Sequence, residues 1–118
     1  MEIKRYDPCG HFSRVTEYNG VLYFSGHIAA GRQPTMTEQM EALTRRLDEL
    51  LAQFGSDKNH ILYAKINIHD WSMFEDFNAV WDKWFDPGCF PARTTVQTEL
   101  TDGHLVEITL TAAKIEKP

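Results

Sequence analysis

The sequence has little that would indicate a secreted or membrane-bound protein. Only two cysteines occur in 118 residues, too few for a disulfide framework, so we expect a reducing cytoplasm and free thiols at Cys9 and Cys89. No apolar stretch approaches the roughly 18 residues of a membrane span, and the N-terminus "MEIKRYDPCG" has no apolar signal core. A cytoplasmic protein that does not enter a membrane is therefore predicted.

Basic side chains are also scarce. Twelve Lys and Arg against 17 Asp and Glu give a formal net charge of -5. Binding to a phosphate backbone depends largely on clustered Lys and Arg, and the sequence contains no such cluster, so no nucleic-acid partner is expected. The histidines at positions 11, 27, 60, 69 and 104 lack the close spacing of metal ligands, and neither cysteine lies in a CxxC pair, so no metal site is predicted.

The composition that is present is that of one globular domain. Hydrophobic residues make up 42% and charged residues 25% of the chain, which is ordinary for such a domain. No repeat, low-complexity tract or linker divides the sequence. We predict a single domain over residues 1–118 with one core.

The first half of the chain predicts a β-hairpin and a helix. Two strand-like runs in "FSRVTEYNGVLYFSGHIA" flank Asn19-Gly20, which favours a tight turn, and this hairpin is expected to open the fold. In "TMTEQMEALTRRLDELLAQFG" apolar residues recur every three or four positions, as on one face of a helix. Thr35 with Glu38 fits a capping box, and Gly55 fits a helix end.

The centre of the chain predicts a strand and a second helix. "ILYAKINIHD" alternates as a strand covered on one side, with the covered face lined by Leu62, Ala64, Ile66 and Ile68. "SMFEDFNAVWDKWF" predicts a helix begun by Ser72 with Glu75 three residues later. Its aromatic face could line a ligand pocket, but a stripe at this spacing favours packing of the helix on the sheet core; it consists of Phe74, Phe77, Trp81, Trp84 and Phe85.

The last two strands, "RTTVQTEL" and "HLVEITLTAAK", are predicted to pair as a hairpin through a loop at residues 101–103. This register pairs Arg93 with Thr111 and Leu100 with His104. It places Val96 on the apolar face and leaves four polar side chains on the other face: Arg93, Thr95, Gln97 and Glu107.

Two interpretations of this polar face stay open on spacing alone. In the first interpretation, Arg93 and Glu107 are solvated charges or contacts in an oligomer. In the second, Arg93 binds a small carboxylate while Glu107 holds or activates a water beside it. A separation of about 13 Å along the strand would leave room for a small molecule or a neighbouring subunit between them.

Three segments carry a family resemblance. "NGVLYFSGHIA", "LAQFGSDKNHILYAKINIHDWSMFEDFNAVWDKWF" and "FPARTTVQTEL" followed by "VEITLTAA" resemble the Rid (YjgF-like) family of imine and enamine deaminases, and within it the small YoaB-like branch. The resemblance covers essentially the whole chain. It implies a chorismate-mutase-like α+β fold, with two helices on one face of a mostly antiparallel sheet, and a homotrimer with ligand clefts between subunits.

The resemblance also implies roles for individual residues. Arg93, after the proline of "PAR", is expected to grip the substrate carboxylate, and Glu107 of "VEI" is expected to position the attacking water. Ser25 and the backbone at Thr95 are expected to line the pocket. The implied reaction hydrolyses small 2-imino acids to 2-keto acids and ammonia without a cofactor, because orientation of a carboxylate and one water provides much of the acceleration.

Two positions depart from the family pattern. Phe12 stands where a pocket tyrosine is expected, with His11 beside it as a candidate replacement, and Thr95 stands where a cysteine is often found. A non-catalytic module that binds a small carboxylate such as a 2-keto acid is the alternative function. A ribonuclease or translation-inhibiting activity fits poorly with the acidic charge balance.

Overall fold

The computed structural model of the protein describes residues 2–116 and contains one six-stranded sheet with two α-helices. The strands are β1 (Lys4–Cys9), β2 (Phe12–Tyr18), β3 (Val21–Phe24), β4 (Ile61–Ile68), β5 (Ala92–Gln97) and β6 (Val106–Ala113). The helices are α1 (Met36–Gln53) and α2 (Phe74–Trp84). The prediction of one domain over residues 1–118 includes residues 1, 117 and 118, which lie outside the described residues.

The strands lie side by side in the order β1-β2-β3-β6-β4-β5. Every neighbouring pair is antiparallel except β4 and β5, which are parallel. This mixed α+β fold with a mostly antiparallel sheet confirms the predicted fold class. Within residues 2–116 no helix has the length and apolar character needed to cross a membrane.

The predicted N-terminal hairpin is present as β2 and β3. Asn19 and Gly20 form its turn with φ angles of 53° and 78°, and Tyr18 pairs with Val21 across it. It does not open the fold, however, because β1 precedes it and pairs with β2. Periodicity did not reveal β1 because this mostly exposed edge strand ends in Asp-Pro-Cys, and Pro is confined mainly to sheet edges.

Helix α1 begins and ends as the sequence predicts. The Thr35 hydroxyl accepts a hydrogen bond from the Glu38 backbone N–H at 3.2 Å and donates to the Glu38 carboxylate at 2.9 Å. The helix ends at Gln53, and Gly55 follows with a φ of 82°. A side-chain cap and a left-handed glycine therefore bound this element.

Helix α2 begins differently from the prediction. Ser72 is not its cap: the Asp70 carboxylate accepts a hydrogen bond from the Ser72 N–H at 2.8 Å and so caps a short 3-10 turn, Trp71–Met73. The α-helix itself starts at Phe74. Asp70 and Ser72 are both good N-cap residues, and the sequence pattern alone does not show which of them acts as the cap.

The core lies between the two helices and one face of the sheet. The aromatic face of α2 is part of it, as the packing interpretation predicted, with Phe77, Trp81, Trp84 and Phe85 buried. One predicted core residue of β4 is wrong: Leu62 is 49% exposed, because the pairing of β4 with β6 shifts between Ile61 and Tyr63. Ile61 takes its place in the core.

The predicted hairpin of β5 with β6 is wrong. Strand β4 lies between them, so Arg93 pairs with Ala64 rather than with Thr111. Helix α2 connects β4 to β5, and a connection of this kind brings the second strand back parallel to the first. Paired residues share a face, so β5 turns Arg93, Thr95 and Gln97 toward the helices and Val96 toward the face that the helices do not cover, here called the open face.

Gln39 connects the loop before α1 to the loop before β6. Its amide nitrogen donates to the carbonyls of Gln33 at 2.8 Å and Gly103 at 3.0 Å, and its amide oxygen accepts from the Leu105 N–H at 2.8 Å. The side chain is only 1% exposed. Water therefore has little access to replace these three bonds.

We expect Gln39→Met to lower the free energy of unfolding by about 2 kcal/mol, because it leaves buried backbone groups without partners. Urea denaturation would measure the change. Gln53→Met, at the exposed end of the same helix, is the control and should stay within about 0.5 kcal/mol of the wild type. Equal stability of both variants would contradict the role assigned to Gln39.

Candidate functional site

Arg93 is held among aromatic rings on the helix side of β5. Its guanidinium carbon lies 5.7, 5.4 and 5.4 Å from the ring centres of Phe74, Phe77 and Trp81. The terminal nitrogen Nη1 donates a hydrogen bond to the Asn78 side-chain oxygen at 2.8 Å. All four contacts come from α2, so this helix fixes the position of the Arg93 guanidinium, which extends from the edge strand β5.

Arg93 keeps its positive charge at the edge of a small cavity. Burial lowers the pKa of Arg93, and the charge of Asp82 acts in the opposite direction, but a guanidinium stays protonated throughout the physiological range. Arg93 opens onto a cavity of about 320 Å³. Its other lining residues are Asn78, Trp81, Asp82, Phe90 and Pro91.

Thr95 lies on the same face of β5 and pairs with Ile66 of β4. Its hydroxyl oxygen is buried and has no hydrogen-bond partner among residues 2–116. A buried hydroxyl is usually hydrogen-bonded. Thr95 therefore offers a donor and an acceptor two residues from Arg93.

Glu107 lies on the open face, in β6. One carboxylate oxygen accepts a hydrogen bond from the Asn67 amide at 2.9 Å, and Asn67 is its partner on β4. The carboxylate also lies against Gly26, where an added Cβ would come within 3.0 Å of the Glu107 carboxyl carbon and Oε2. The absence of a side chain at position 26 is what lets Glu107 take this position.

A second cavity, of about 300 Å³, lies beside Gly26. Phe12 and Ser25, both predicted site residues, line it, and Phe12 is 57% exposed. His11, the candidate replacement for the missing tyrosine, lies in the exposed turn before β2. The other lining residues are Cys9, Arg14, Gly26, His27, Ile28 and Arg46.

His27 lines this cavity, is buried, and has one defined tautomer. Its Nδ1 lies 2.7 Å from the Ser25 carbonyl oxygen, which can only accept, so Nδ1 carries the proton. Its Nε2 then accepts from the Arg14 Nε–H at 3.3 Å. Burial is the main cause that lowers the pKa of His27, and the charges of Arg46 and Arg14 add to it, so the ring is neutral at pH 7.

The predicted site residues thus form two groups within one chain. Phe12, Ser25 and Glu107 gather around Gly26, whereas Arg93 and Thr95 lie on the helix side of β5. The expectation that Arg93 and Glu107 share a face is wrong, because it depended on the hairpin that β4 interrupts. Across two strand spacings, about 10 Å, and on opposite faces of the sheet, they do not line one cavity.

Sequence reasoning missed Asn78, Asn67 and Gly26. Asn78 follows Phe77 and precedes Trp81 by three residues, so a polar side chain beside an aromatic stripe was a usable signal. Asn67 and Gly26 gave none, because their contacts with Glu107 depend on strand order. Within the part of the chain described, no three His, Cys, Asp or Glu side chains are grouped to hold a metal ion.

Comparison with known proteins identifies the family. The family model described as Endoribonuclease L-PSP matches residues 2–114. A RutC family protein of Haemophilus influenzae is 35% identical over 119 residues, which cover 95% of this chain and 98% of that one. The chain belongs to the Rid/YjgF/RutC family.

Two further relatives of this Rid protein agree with the resemblance seen in its sequence. The RutC family protein YoaB of Escherichia coli K12 is 34% identical over 114 residues, covering 96% of this chain and 99% of that one. A YjgF family member from Neisseria meningitidis superposes with a TM-score of 0.92 at 33% identity, over 99% of this chain and 98% of that one. The YoaB-like assignment and the fold are thereby confirmed.

The low pKa of His27 predicts how the stability of this Rid protein depends on pH. The unfolded chain binds a proton at His27 near pH 6.5, the ordinary value, whereas the folded chain does so only at lower pH. The contribution of His27 is therefore complete above about pH 6.5 and is lost as the pH falls toward the folded pKa.

Melting temperatures at pH 7.5 and 5.5 would test this for the wild type and for His27→Asn, which retains a donor for Ser25 but does not titrate. The melting temperature should fall less between pH 7.5 and pH 5.5 in His27→Asn than in the wild type. His69→Asn, at an exposed position, is the control and should decrease like the wild type. An equal decrease in all three proteins would show that His27 titrates normally.

Proposed function

We propose that the protein hydrolyses small 2-imino and enamine acids to 2-keto acids and ammonia. The observation that carries this proposal is the charged guanidinium of Arg93, held by three aromatic rings and Asn78 at the edge of a small cavity. A guanidinium held in this way is suited to a small carboxylate. The reaction needs no cofactor and is proposed to take place in the cytoplasm.

In this proposal Arg93 orients the substrate. Its bond to Asn78 occupies one N–H of Nη1 and leaves other donors of the planar fork for a carboxylate. Because the rings of α2 hold the fork in place, little side-chain freedom is lost when the ligand binds. The Thr95 hydroxyl lies on the same face, but it is buried and does not line this cavity, so no contact with the substrate is assigned to it.

Glu107 is proposed to position and deprotonate the attacking water. Asn67 holds one carboxylate oxygen, and the other lies beside Gly26. As the water oxygen adds to the C=N carbon, Glu107 takes one water proton and passes it to the imine nitrogen, which gives a carbinolamine. Glu107 then transfers the hydroxyl proton of the carbinolamine to its nitrogen, the C–N bond breaks to release ammonia, and the carbonyl group of the 2-keto acid remains.

A homotrimer is proposed to bring the two groups together. Arg93 and Glu107 lie on opposite faces in one chain, so a site that uses both requires a second copy. The Arg93 cavity lies at the exposed edge formed by β5, and the cavity beside Gly26 lies toward β2 and β3. In the proposed cleft one subunit supplies Arg93, and its neighbour supplies Glu107 together with Phe12, Ser25 and Gly26.

A non-catalytic module that binds a 2-keto acid is the second candidate. Phe12 favours it, because a phenyl ring in the cavity cannot donate the hydrogen bond that a tyrosine would supply. Glu107 favours catalysis, because a carboxylate beside a bound carboxylate would weaken simple binding. The experiment below distinguishes the two functions.

The first test is the decay of 2-iminopropanoate, generated in place by an amino-acid oxidase and trapped with semicarbazide. The wild type should accelerate this decay, and Arg93→Ala should lower kcat/KM about 100-fold, equivalent to about 2.7 kcal/mol. Arg45→Ala, at an exposed position of α1, is the control. If the wild type leaves the spontaneous rate unchanged for several imino acids, the binding module becomes the better account.

A second test moves Glu107 without removing it. Gly26→Ala should fold, because the added Cβ meets mainly the flexible end of the Glu107 side chain, but the carboxylate must shift. We expect kcat to fall about tenfold, as for a misplaced base. Glu107→Gln, which retains an acceptor for Asn67, should lower kcat at least as much. An unchanged kcat in Gly26→Ala would exclude Glu107 from the reacting centre.

A further inference from the structure

The cavity beside Gly26 is lined by positive side chains that have no role in the proposed hydrolysis of a monocarboxylic imine. Two guanidiniums, Arg14 and Arg46, line it, and no Asp or Glu of residues 2–116 does, although the Glu107 carboxylate lies against Gly26. This is a local excess of positive charge in a chain whose net charge is -5. The Arg93 cavity differs, because Asp82 lines it together with Arg93.

Most of the N–H donors of these two arginines have no hydrogen-bond acceptor among residues 2–116. Arg14 uses Nε for His27, and Arg46 uses Nη1 for the Ile28 carbonyl at 2.8 Å. Arg14 forms a long ion pair with Asp7, whose half-exposed carboxylate lies 3.8 Å from Nη1, beyond hydrogen-bond distance. Among residues 2–116, Arg46 has no carboxylate within ion-pair distance.

His27 fixes the position of Arg14 in this cavity. The neutral ring accepts from Nε, and the Ser25 carbonyl holds the ring on its other side. The backbone of His27 is in turn held by two hydrogen bonds with Ile108 of β6, each 2.9 Å long. One edge of the Arg14 guanidinium is thus attached to the sheet, and the terminal nitrogens remain for a ligand.

The lining also fits the rest of a small ligand. Phe12 and Ile28 provide apolar surface for a short methylene chain, and Ser25 provides a hydroxyl. A volume of about 300 Å³ is at the lower end of ligand sites. It suits a molecule of a few carbons rather than a nucleotide.

We propose that Arg14 and Arg46 bind a second, distal carboxylate of the substrate, so that the protein prefers dicarboxylic 2-imino acids to 2-iminopropanoate. This specificity rests on the proposed function and on the intersubunit cleft, in which Arg93 binds the carboxylate next to the imine. The anion subsite itself lies within one chain. It can therefore be tested without catalysis.

The first experiment measures binding of succinate, butyrate and inorganic phosphate by titration calorimetry. The wild type should bind succinate at least tenfold more tightly than butyrate, and Arg46→Gln should abolish this difference. Arg45→Gln, the adjacent exposed arginine, should behave like the wild type. Arg14→Gln, with circular dichroism to verify folding, provides an independent second variant.

Two binding results would overturn the proposal. Equal affinity of the wild type for succinate and butyrate would show that no second carboxylate is bound. Phosphate binding that is tighter than succinate binding and depends on Arg46 would make the cavity a phosphate site instead.

The second experiment compares kcat/KM for 2-iminoglutarate, produced by an oxidase acting on glutamate, with that for 2-iminopropanoate. The wild-type ratio should exceed ten, and Arg46→Gln should reduce it at least tenfold. Hydrolysis of both imines at a ratio near one in both proteins would refute the substrate preference and leave the deaminase function standing. Absence of any hydrolysis, with Arg46-dependent succinate binding, would refute the deaminase function and leave the subsite standing.

Discussion

The parallel pairing of β5 with β4 is the constraint on which the arrangement of the site depends. Helix α2 connects these strands and must return the chain to the same end of the sheet, so β5 becomes the edge strand beside β4. Arg93 then faces α2 and not the open face. The aromatic contacts of its guanidinium, its bond to Asn78 and its separation from Glu107 all follow from this pairing.

Local signals in the sequence were sufficient for most of the individual elements. The period of α1, its capping by Thr35, the Asn19-Gly20 turn and the aromatic face of α2 depend on neighbours within a few residues. These features can be predicted because the physical interactions that produce them are local. The resemblance to the Rid family supplied the fold class, a mostly antiparallel sheet with two helices on one face, but no strand order was predicted from it.

Non-local pairing could not be obtained in the same way. Asp102 and Gly103 do have positive φ angles, 55° and 74°, so the turn predicted at residues 101–103 exists, yet the strands on either side are not partners. The segment at residues 98–105 can span two strand spacings, about 10 Å, as readily as it can close a hairpin. Because the face of each residue was predicted from odd and even positions in that hairpin, Arg93 was assigned to the wrong face. The contacts of Glu107 with Asn67 and Gly26 depend on strand order and could not be predicted either.

The rings around Arg93 determine how strongly its guanidinium is hydrated before a ligand binds. A guanidinium that lies among Phe74, Phe77 and Trp81 has given up part of its hydration shell when the chain folds. An incoming carboxylate therefore displaces fewer water molecules than it would at an arginine on an open surface. Folding of α2 thus removes in advance water that ligand binding would otherwise have to displace. The packing of this helix therefore sets the hydration of the Arg93 guanidinium.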